Sequence, residues 1–83
     1  MERSEILSRV KSVVSGVLGV DEEEMTEDSE FVGDLGAESI QSLELVAAFE
    51  EEFGIEMEEE AALQVQSIGK AVDFIAEVME EQD

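Results

Sequence analysis

Residues 39–53 read SIQSLELVAAFEEEF, and the spacing of their apolar side chains predicts an amphipathic α-helix. Ser39 is a favourable N-cap residue and Gly54 is a favourable C-terminal stop, so the sequence marks both ends of this helix. Two adjacent lines of helical spacing run along it, one with Leu45, Phe49 and Phe53 and the other with Ile40, Leu43, Val46, Ala47 and Glu50.

Helical periodicity recurs on both sides of this stretch. A first helix is predicted over residues 4–18, with Gly19 as its C-terminal stop. A last helix is predicted over residues 68–79, with Ser67 as its N-cap. The apolar residues within 55–65 are too few for a long helix and predict only a turn or two.

Residues 20–38 show no sustained hydrophobic period and predict a long loop, with Phe31, Val32 and Leu35 as its apolar anchors. The pattern as a whole predicts an all-α fold. We expect a small four-helix bundle of three long helices and one short helix, with the long loop between the first and second helices. A length of 83 residues fits a single domain over residues 1–83.

The composition is strongly acidic, because 24 Asp and Glu against 4 Lys and Arg give a net charge of −20. Hydrophobic residues still make up 43% of the chain, which indicates a folded domain rather than a disordered tail. Three of the four bases lie in the first eleven residues, so a basic partner would meet the remainder of the chain. The charge repels nucleic acid, so we predict no nucleic-acid partner. No apolar run could span a membrane, so we predict a cytoplasmic protein, and we expect it to be a monomer.

The chain contains no Cys and no His, which excludes thiolate or imidazole metal sites and a Ser-His-Asp triad. The acidic runs at 50–52 and 58–60 predict a solvated surface, because consecutive side chains point in different directions around a helix. The run 21–32 lacks both the central glycine and the final glutamate of a calcium loop. We therefore predict neither an enzyme nor a metal site.

The stretch GDLGAESI at residues 33–40 brings a serine hydroxyl to the start of the amphipathic helix. Backbone N–H groups in the first turn of a helix are free and carry a partial positive charge, so a phosphate ester on Ser39 would be tolerated there. An ordinary N-cap role explains a lone serine more simply. The segment alone leaves both roles open.

A longer set of residues is similar to the acyl carrier proteins and covers nearly the whole chain. The matching stretches are FVGDLGAESI at 31–40, LELV at 43–46, EEEFGIE at 50–56 and VDFI at 72–75. In that family the motif serine carries a 4′-phosphopantetheine arm, which a transferase attaches from coenzyme A. The resemblance therefore implies that Ser39 is the attachment residue and that the thiol of the arm holds acyl groups as thioesters.

The same resemblance implies an acyl pocket and a partner surface. The implied pocket lies between the helices and is lined by Leu43, Val46, Ala47, Phe49, Ile55, Leu63, Val65, Ile68 and Ile75. The implied partner surface comprises Glu38, Ile40, Gln41, Glu44, Glu50 and Glu51. Its partners would be the phosphopantetheinyl transferase and the acyl-transfer and fatty-acid or polyketide synthesis enzymes, which present basic patches. The implied function is to carry acyl intermediates for fatty-acid or related lipid biosynthesis.

Several positions depart from the usual pattern of the family. Glu38 replaces the usual Asp, Ile40 replaces Leu, Gln41 replaces an acid and Glu58 replaces Pro. Ala47, where Met is common, leaves room for a bulkier chain, while Phe49 takes some of that room back. These departures predict a specialised carrier rather than the main fatty-acid carrier of its cell.

Two alternatives remain open from the sequence. A carrier of polyketide or aminoacyl cargo would share both the fold and the use of Ser39. An acidic protein-interaction module would share the fold but leave Ser39 unmodified. Replacing Ser39 by alanine separates the carriers from the interaction module, because only a carrier needs the hydroxyl.

Overall fold

The computed structural model describes residues 1–82 of the chain, and within them four α-helices form without a strand. The helices are α1 (Arg3–Leu18), α2 (Ser39–Phe53), α3 (Glu59–Leu63) and α4 (Ile68–Gln82), with a short 3₁₀ helix at Glu22–Glu24. The predicted all-α architecture of three long helices and one short helix is confirmed. The last helix runs three residues further than predicted, and the first begins one residue earlier.

Three of the predicted helix ends have a clear structural cause. Gly19 and Gly54 adopt left-handed backbone angles, with φ of 71° and 64°, and residues that have a Cβ rarely adopt such angles. The N–H of Gly19 donates to the carbonyl of Ser15 at 2.9 Å and closes α1. At the start of α4, the Ser67 hydroxyl accepts the N–H of Lys70 at 3.3 Å, so its predicted role as a cap is confirmed.

The core forms where α1 packs against both α2 and α4. Its most deeply buried side chains are aliphatic, and Phe31, Phe49 and Phe53 join them. The fully buried aliphatic residues are Ile6, Val10, Val14, Ile68, Val72 and Ile75. Because the burial of apolar area is the main favourable contribution to folding, this three-helix contact carries most of the stability.

The long loop between α1 and α2 is fixed to the start of α4 by backbone hydrogen bonds. The N–H of Ile68 donates to the carbonyl of Ser29 at 3.0 Å, and the N–H of Gly69 donates to that of Glu27 at 2.8 Å. Just before α4, the carbonyl of Gln66 accepts the N–H of Phe31 from the loop at 2.9 Å. The loop therefore satisfies N–H groups that the first turn of a helix leaves without a partner inside the helix.

Arg3 joins the same loop to two helices through its guanidinium group. It donates to the Glu27 carboxylate at 2.6 Å and to the Asp73 carboxylate at 3.1 Å. The hydrogen bond from Arg3 holds the pKa of Glu27 below its usual range. All three side chains are about half exposed or more, so this network orients the loop more than it stabilises the fold.

The apolar anchors of the loop differ in part from the predicted ones. Phe31 is buried and Leu35 is partly buried, as expected, but Val32 is 66% exposed and its predicted anchoring role is wrong. Met25 and Ala37 are buried instead. A segment without a hydrophobic period does not reveal which of its apolar residues turn inward, because its contacts with α4 decide this.

Two helical glycines provide a matched stability test. We expect Gly69→Ala to lower the free energy of unfolding by about 1–3 kcal/mol, because its Cβ would lie 3.0 Å from the Glu27 carbonyl oxygen. Gly16 has no heavy atom within 4 Å of an added Cβ, so Gly16→Ala should raise the same quantity by about 0.5–1 kcal/mol. Thermal unfolding followed by circular dichroism measures both changes, and a shift of the same sign in both variants would contradict the prediction.

Candidate functional site

Ser39 is the first residue of α2, and Glu38 rather than Ser39 occupies the N-cap position. The predicted cap was therefore one residue too late. The N–H of Glu38 donates to the side-chain oxygen of Gln41 at 2.9 Å, which fixes the first turn. This arrangement leaves the side chain of Ser39 exposed at the positive end of the helix rather than folded back onto the backbone.

A tight turn before the helix fixes the position of Ser39. The Asp34 carboxylate accepts the N–H of Glu30 at 2.8 Å, while the N–H groups of Asp34 and Leu35 both donate to the Glu30 carbonyl at 2.9 Å. Gly36 follows with φ of 73°, a left-handed backbone angle that glycine adopts most easily. At this residue the chain turns toward α2. Because these hydrogen bonds fix the conformation of the turn, the turn holds Ser39 in a defined position at the start of α2.

A cavity of about 420 Å³ opens beside this turn and reaches the surface at Val32 and Leu63. Its walls come from the loop, α2, the segment around α3, and α4. The lining residues are Glu30, Phe31, Val32, Gly33, Ser42, Leu45, Val46, Phe49, Met57, Ala62, Leu63, Val65, Gln66, Ala71, Phe74 and Ile75. The walls are mainly apolar, as expected of a site that takes a hydrocarbon chain.

Five of the nine predicted pocket residues line this cavity, namely Val46, Phe49, Leu63, Val65 and Ile75. Leu43 and Ala47 line a neighbouring depression instead, and Ile55 and Ile68 are buried in the core and line neither space. Sequence reasoning missed several lining residues, among them Phe31, Leu45, Met57, Ala62 and Phe74. Their apolar character was a signal, but periodicity could not show which of them face a shared space.

Ser39 lies on the same face of α2 as the cavity wall. Ser42, Val46 and Phe49 follow it at intervals of three, seven and ten residues, which places all four side chains along one stripe of a helix. From Ser39 to Phe49 the stripe is about 15 Å long at the rise of an α-helix. A group attached to the Ser39 hydroxyl therefore begins at one end of a line that leads into the cavity.

The six predicted partner residues fall into two groups. Glu38, Ile40, Glu44 and Glu51 have exposed side chains, and Ile40 is 63% exposed although it is apolar. Gln41 and Glu50 are partly buried and already bonded within the chain. Gln41 accepts from Glu38, and the Glu50 carboxylate accepts the N–H of Met57 at 2.9 Å.

Within residues 1–82, no group of three or more Asp and Glu residues is placed to hold a metal ion. None of the helices over residues 1–82 is long and apolar enough to cross a membrane.

Comparison with known proteins identifies the family. Residues 8–75 match the family model described as a phosphopantetheine attachment site. The chain is 50% identical over 74 residues to an acyl carrier protein of Caulobacter vibrioides, covering 89% of this chain and 95% of that one. It is also 50% identical over 72 residues to an acyl carrier protein of Sinorhizobium fredii, covering 87% and 92%.

A solved structure agrees with these sequence matches. The acyl carrier protein from Enterococcus faecalis superposes with a TM-score of 0.78 at 33% identity, covering 94% of this chain and 99% of that one. The chain belongs to the phosphopantetheine-attachment family, and within it to the acyl carrier proteins. Its cofactor is 4′-phosphopantetheine, and its function is to carry acyl groups on that arm.

The residues around Ser39 fit this group. A phosphate diester on the exposed hydroxyl would lie at the first turn of α2, where backbone N–H groups and the helix dipole favour an anion. The cavity on the same face offers apolar walls to what the arm carries. When bound, the arm supplies the thiol that this chain, without Cys, does not have.

Proposed function

We propose that Ser39 is the residue that carries the phosphopantetheine arm. The observation that supports this most strongly is the placement of its hydroxyl, which is exposed at the head of α2 on the stripe that leads into the cavity. The transferase would supply the base that activates the hydroxyl, so this chain needs none. Its own contribution is to hold the serine at a fixed, accessible position through the turn around Asp34 and the Gln41 cap.

The cavity is the proposed acyl site. Phe31, Leu45, Phe49 and Ile75 would surround the chain and keep water away from it. A hydrocarbon chain gains free energy as it leaves water, at roughly 0.8 kcal/mol per buried methylene, so the cavity would favour the sequestered state. In this proposal the protein binds and shields its cargo, and its partner enzymes carry out the chemistry. We also propose that residues 1–83 form a single domain.

The exposed residues on α2 are the proposed docking surface for the transferase and for synthesis enzymes with basic patches. Glu38, Glu44 and Glu51 are exposed, with Glu38 and Glu44 close to the apolar Ile40 and Glu51 further along α2. The Glu38 side chain also takes part in the reciprocal cap with Gln41. Exposed ion pairs are individually weak, at about 0–1 kcal/mol, but several together steer encounter and permit rapid release. A carrier that serves several enzymes in turn needs both properties.

The cytoplasmic location and the monomeric state of this protein stay predictions from its sequence.

We further propose that this carrier is specialised. Its two sequence departures nearest the serine, Glu38 and Ile40, are both exposed, so a partner that docks on Ser39 would meet them directly. The third departure, Gln41, serves the helix cap instead and offers a partner no free acid. Compared with the usual family pattern, the acidic side chain before the attachment serine is therefore one methylene longer, and the apolar side chain after it is branched at Cβ.

Intact-protein mass spectrometry tests the proposed function. After incubation with coenzyme A and a broad-specificity phosphopantetheinyl transferase, we expect the chain to gain the mass of one phosphopantetheine group. Fragmentation of the product should place that mass on Ser39 rather than on the neighbouring Ser42. An unchanged mass under conditions that fully modify another acyl carrier protein, or a modification at any other residue, would refute the proposal.

A further inference from the structure

A second, shallower depression of about 310 Å³ lies beside the main cavity. Two residues line both spaces, Val46 from α2 and Met57 from the segment between α2 and α3. The remaining walls of the depression are Leu43, Ala47, Glu50 and Glu59. Val46 and Met57 therefore lie between the two spaces and form part of the wall of each.

The backbone on the Met57 side of this wall is held at two points. The Glu50 carboxylate accepts the N–H of Met57 at 2.9 Å. The Gln82 side chain donates to the carbonyl of Glu56 at 2.6 Å and accepts the N–H of Glu56 at 3.3 Å. Helices α2 and α4 thus both hold the segment in place, and the hydrogen bond that Glu50 accepts fixes the backbone of the wall residue Met57 itself.

The two wall residues differ in how readily their side chains move. Val46 is β-branched and lies within a helix, where its rotamer is restricted. Met57 is partly buried, unbranched and outside the helices, and methionine adapts to irregular space more easily than other apolar residues. Displacement of the Met57 side chain would connect the cavity to a depression that the small side chain of Ala47 leaves open.

We propose that Met57 is a movable wall that sets the length of acyl chain this protein shelters, and that Glu50 is the positioning residue that holds it closed. The proposal rests on the proposed function. A chain that fills the main cavity stays behind Met57. A longer chain displaces the Met57 side chain, and its far end enters the second depression over Leu43 and Ala47.

The depression lies where the far end of a longer chain would extend. Leu43, Val46, Ala47 and Glu50 follow Ser39 at intervals of four, seven, eight and eleven residues, so the depression adjoins the stripe that bounds the main cavity. Both spaces begin beyond the same serine and share one wall. A single tethered chain is therefore the occupant that fits their continuity.

Substitutions at Glu50 test the proposal without confusing it with a change of charge. Glu50→Gln and Glu50→Ala both remove the carboxylate charge, but only glutamine keeps an oxygen that can accept the N–H of Met57. Each variant and the wild type would be loaded with saturated chains from octanoyl to stearoyl. The readout is the melting temperature of each acylated form relative to its own unacylated holo form.

We expect the stabilisation to rise with chain length and then level off. In Glu50→Ala it should level off at longer chains than in the wild type, while Glu50→Gln should keep the wild-type profile. Adding Ala47→Met to Glu50→Ala fills the depression from an exposed position and should return the profile to that of the wild type. In stearoyl-loaded Glu50→Ala, a labelled terminal methyl group should show nuclear Overhauser contacts with the Ala47 methyl.

Identical profiles for Glu50→Ala and Glu50→Gln would overturn the proposal, because the effect would then follow the charge alone. A Glu50→Ala profile that Ala47→Met does not alter would overturn it as well. Both results require chains that load normally, so they leave the proposed function intact. A wild-type chain that accepts no arm at all would instead refute the proposed function, on which the role of Met57 depends.

Discussion

Ser39→Ala is expected to take up no phosphopantetheine from coenzyme A under conditions that modify the wild-type chain completely. The reason is chemical, because a methyl group has no oxygen with which to form the phosphate ester. The loss should be total rather than partial, since Ser39 is the serine that the turn around Asp34 and Gly36 presents at the head of α2. Intact-protein mass spectrometry measures the modified fraction directly.

Ser42→Ala is the matched control for this prediction. Ser42 lies one helical turn beyond Ser39, is partly buried, and lines the cavity, with its hydroxyl 3.5 Å from the Glu38 carbonyl oxygen. Its removal should leave the modified fraction unchanged. Circular dichroism of both variants should match the wild type, because alanine is a strong helix former. A modified Ser39→Ala chain, or an unmodified Ser42→Ala chain, would contradict the assignment.

The helix boundaries were predictable because their determinants are local. The glycines that end α1 and α2 are needed for left-handed backbone angles, and a glycine directly after an apolar helical pattern is visible in any sequence. The apolar period also placed α2 correctly over residues 39–53. A chain without Pro or Cys, with clear periods of this kind, leaves few alternatives to a small helical bundle.

The details of the first turn of α2 were less accessible, although the signal was present. Glu38 and Gln41 are three residues apart, which is the spacing of a reciprocal cap, yet Ser39 is the more familiar cap residue. The two placements differ by one residue, but they have different consequences. A capping serine turns its hydroxyl toward the backbone, whereas a serine at the first helical position is free to react.

The shape of the cavity depends on contacts that no local pattern encodes. Val46 and Phe49 were predicted from the period of α2, which determines the side of the helix they occupy. Phe31 and Met57 come from segments without a period, and they reach the cavity only because the loop docks on α4 and Glu50 holds the next segment. Ile55 and Ile68 are equally apolar, but they lie elsewhere in the core.

Ile75→Ala and Ile68→Ala should both destabilise the unacylated protein strongly. Each side chain is almost fully buried on α4, and removing a buried isoleucine to alanine costs roughly 2–5 kcal/mol. Domains of this size unfold with only about 5–15 kcal/mol, so either change removes a large share of the total. Urea unfolding of the unacylated holo proteins measures both losses.

The two variants should differ once an acyl chain is attached, because only Ile75 lines the cavity. In Ile75→Ala the chain can occupy the vacated space and regain apolar contacts, so acylation should recover part of the lost free energy of unfolding. Ile68 does not line the cavity, so we expect acylation to stabilise Ile68→Ala no more than it stabilises the wild type. Equal recovery in both variants would show that the chain is sheltered somewhere other than beside Ile75.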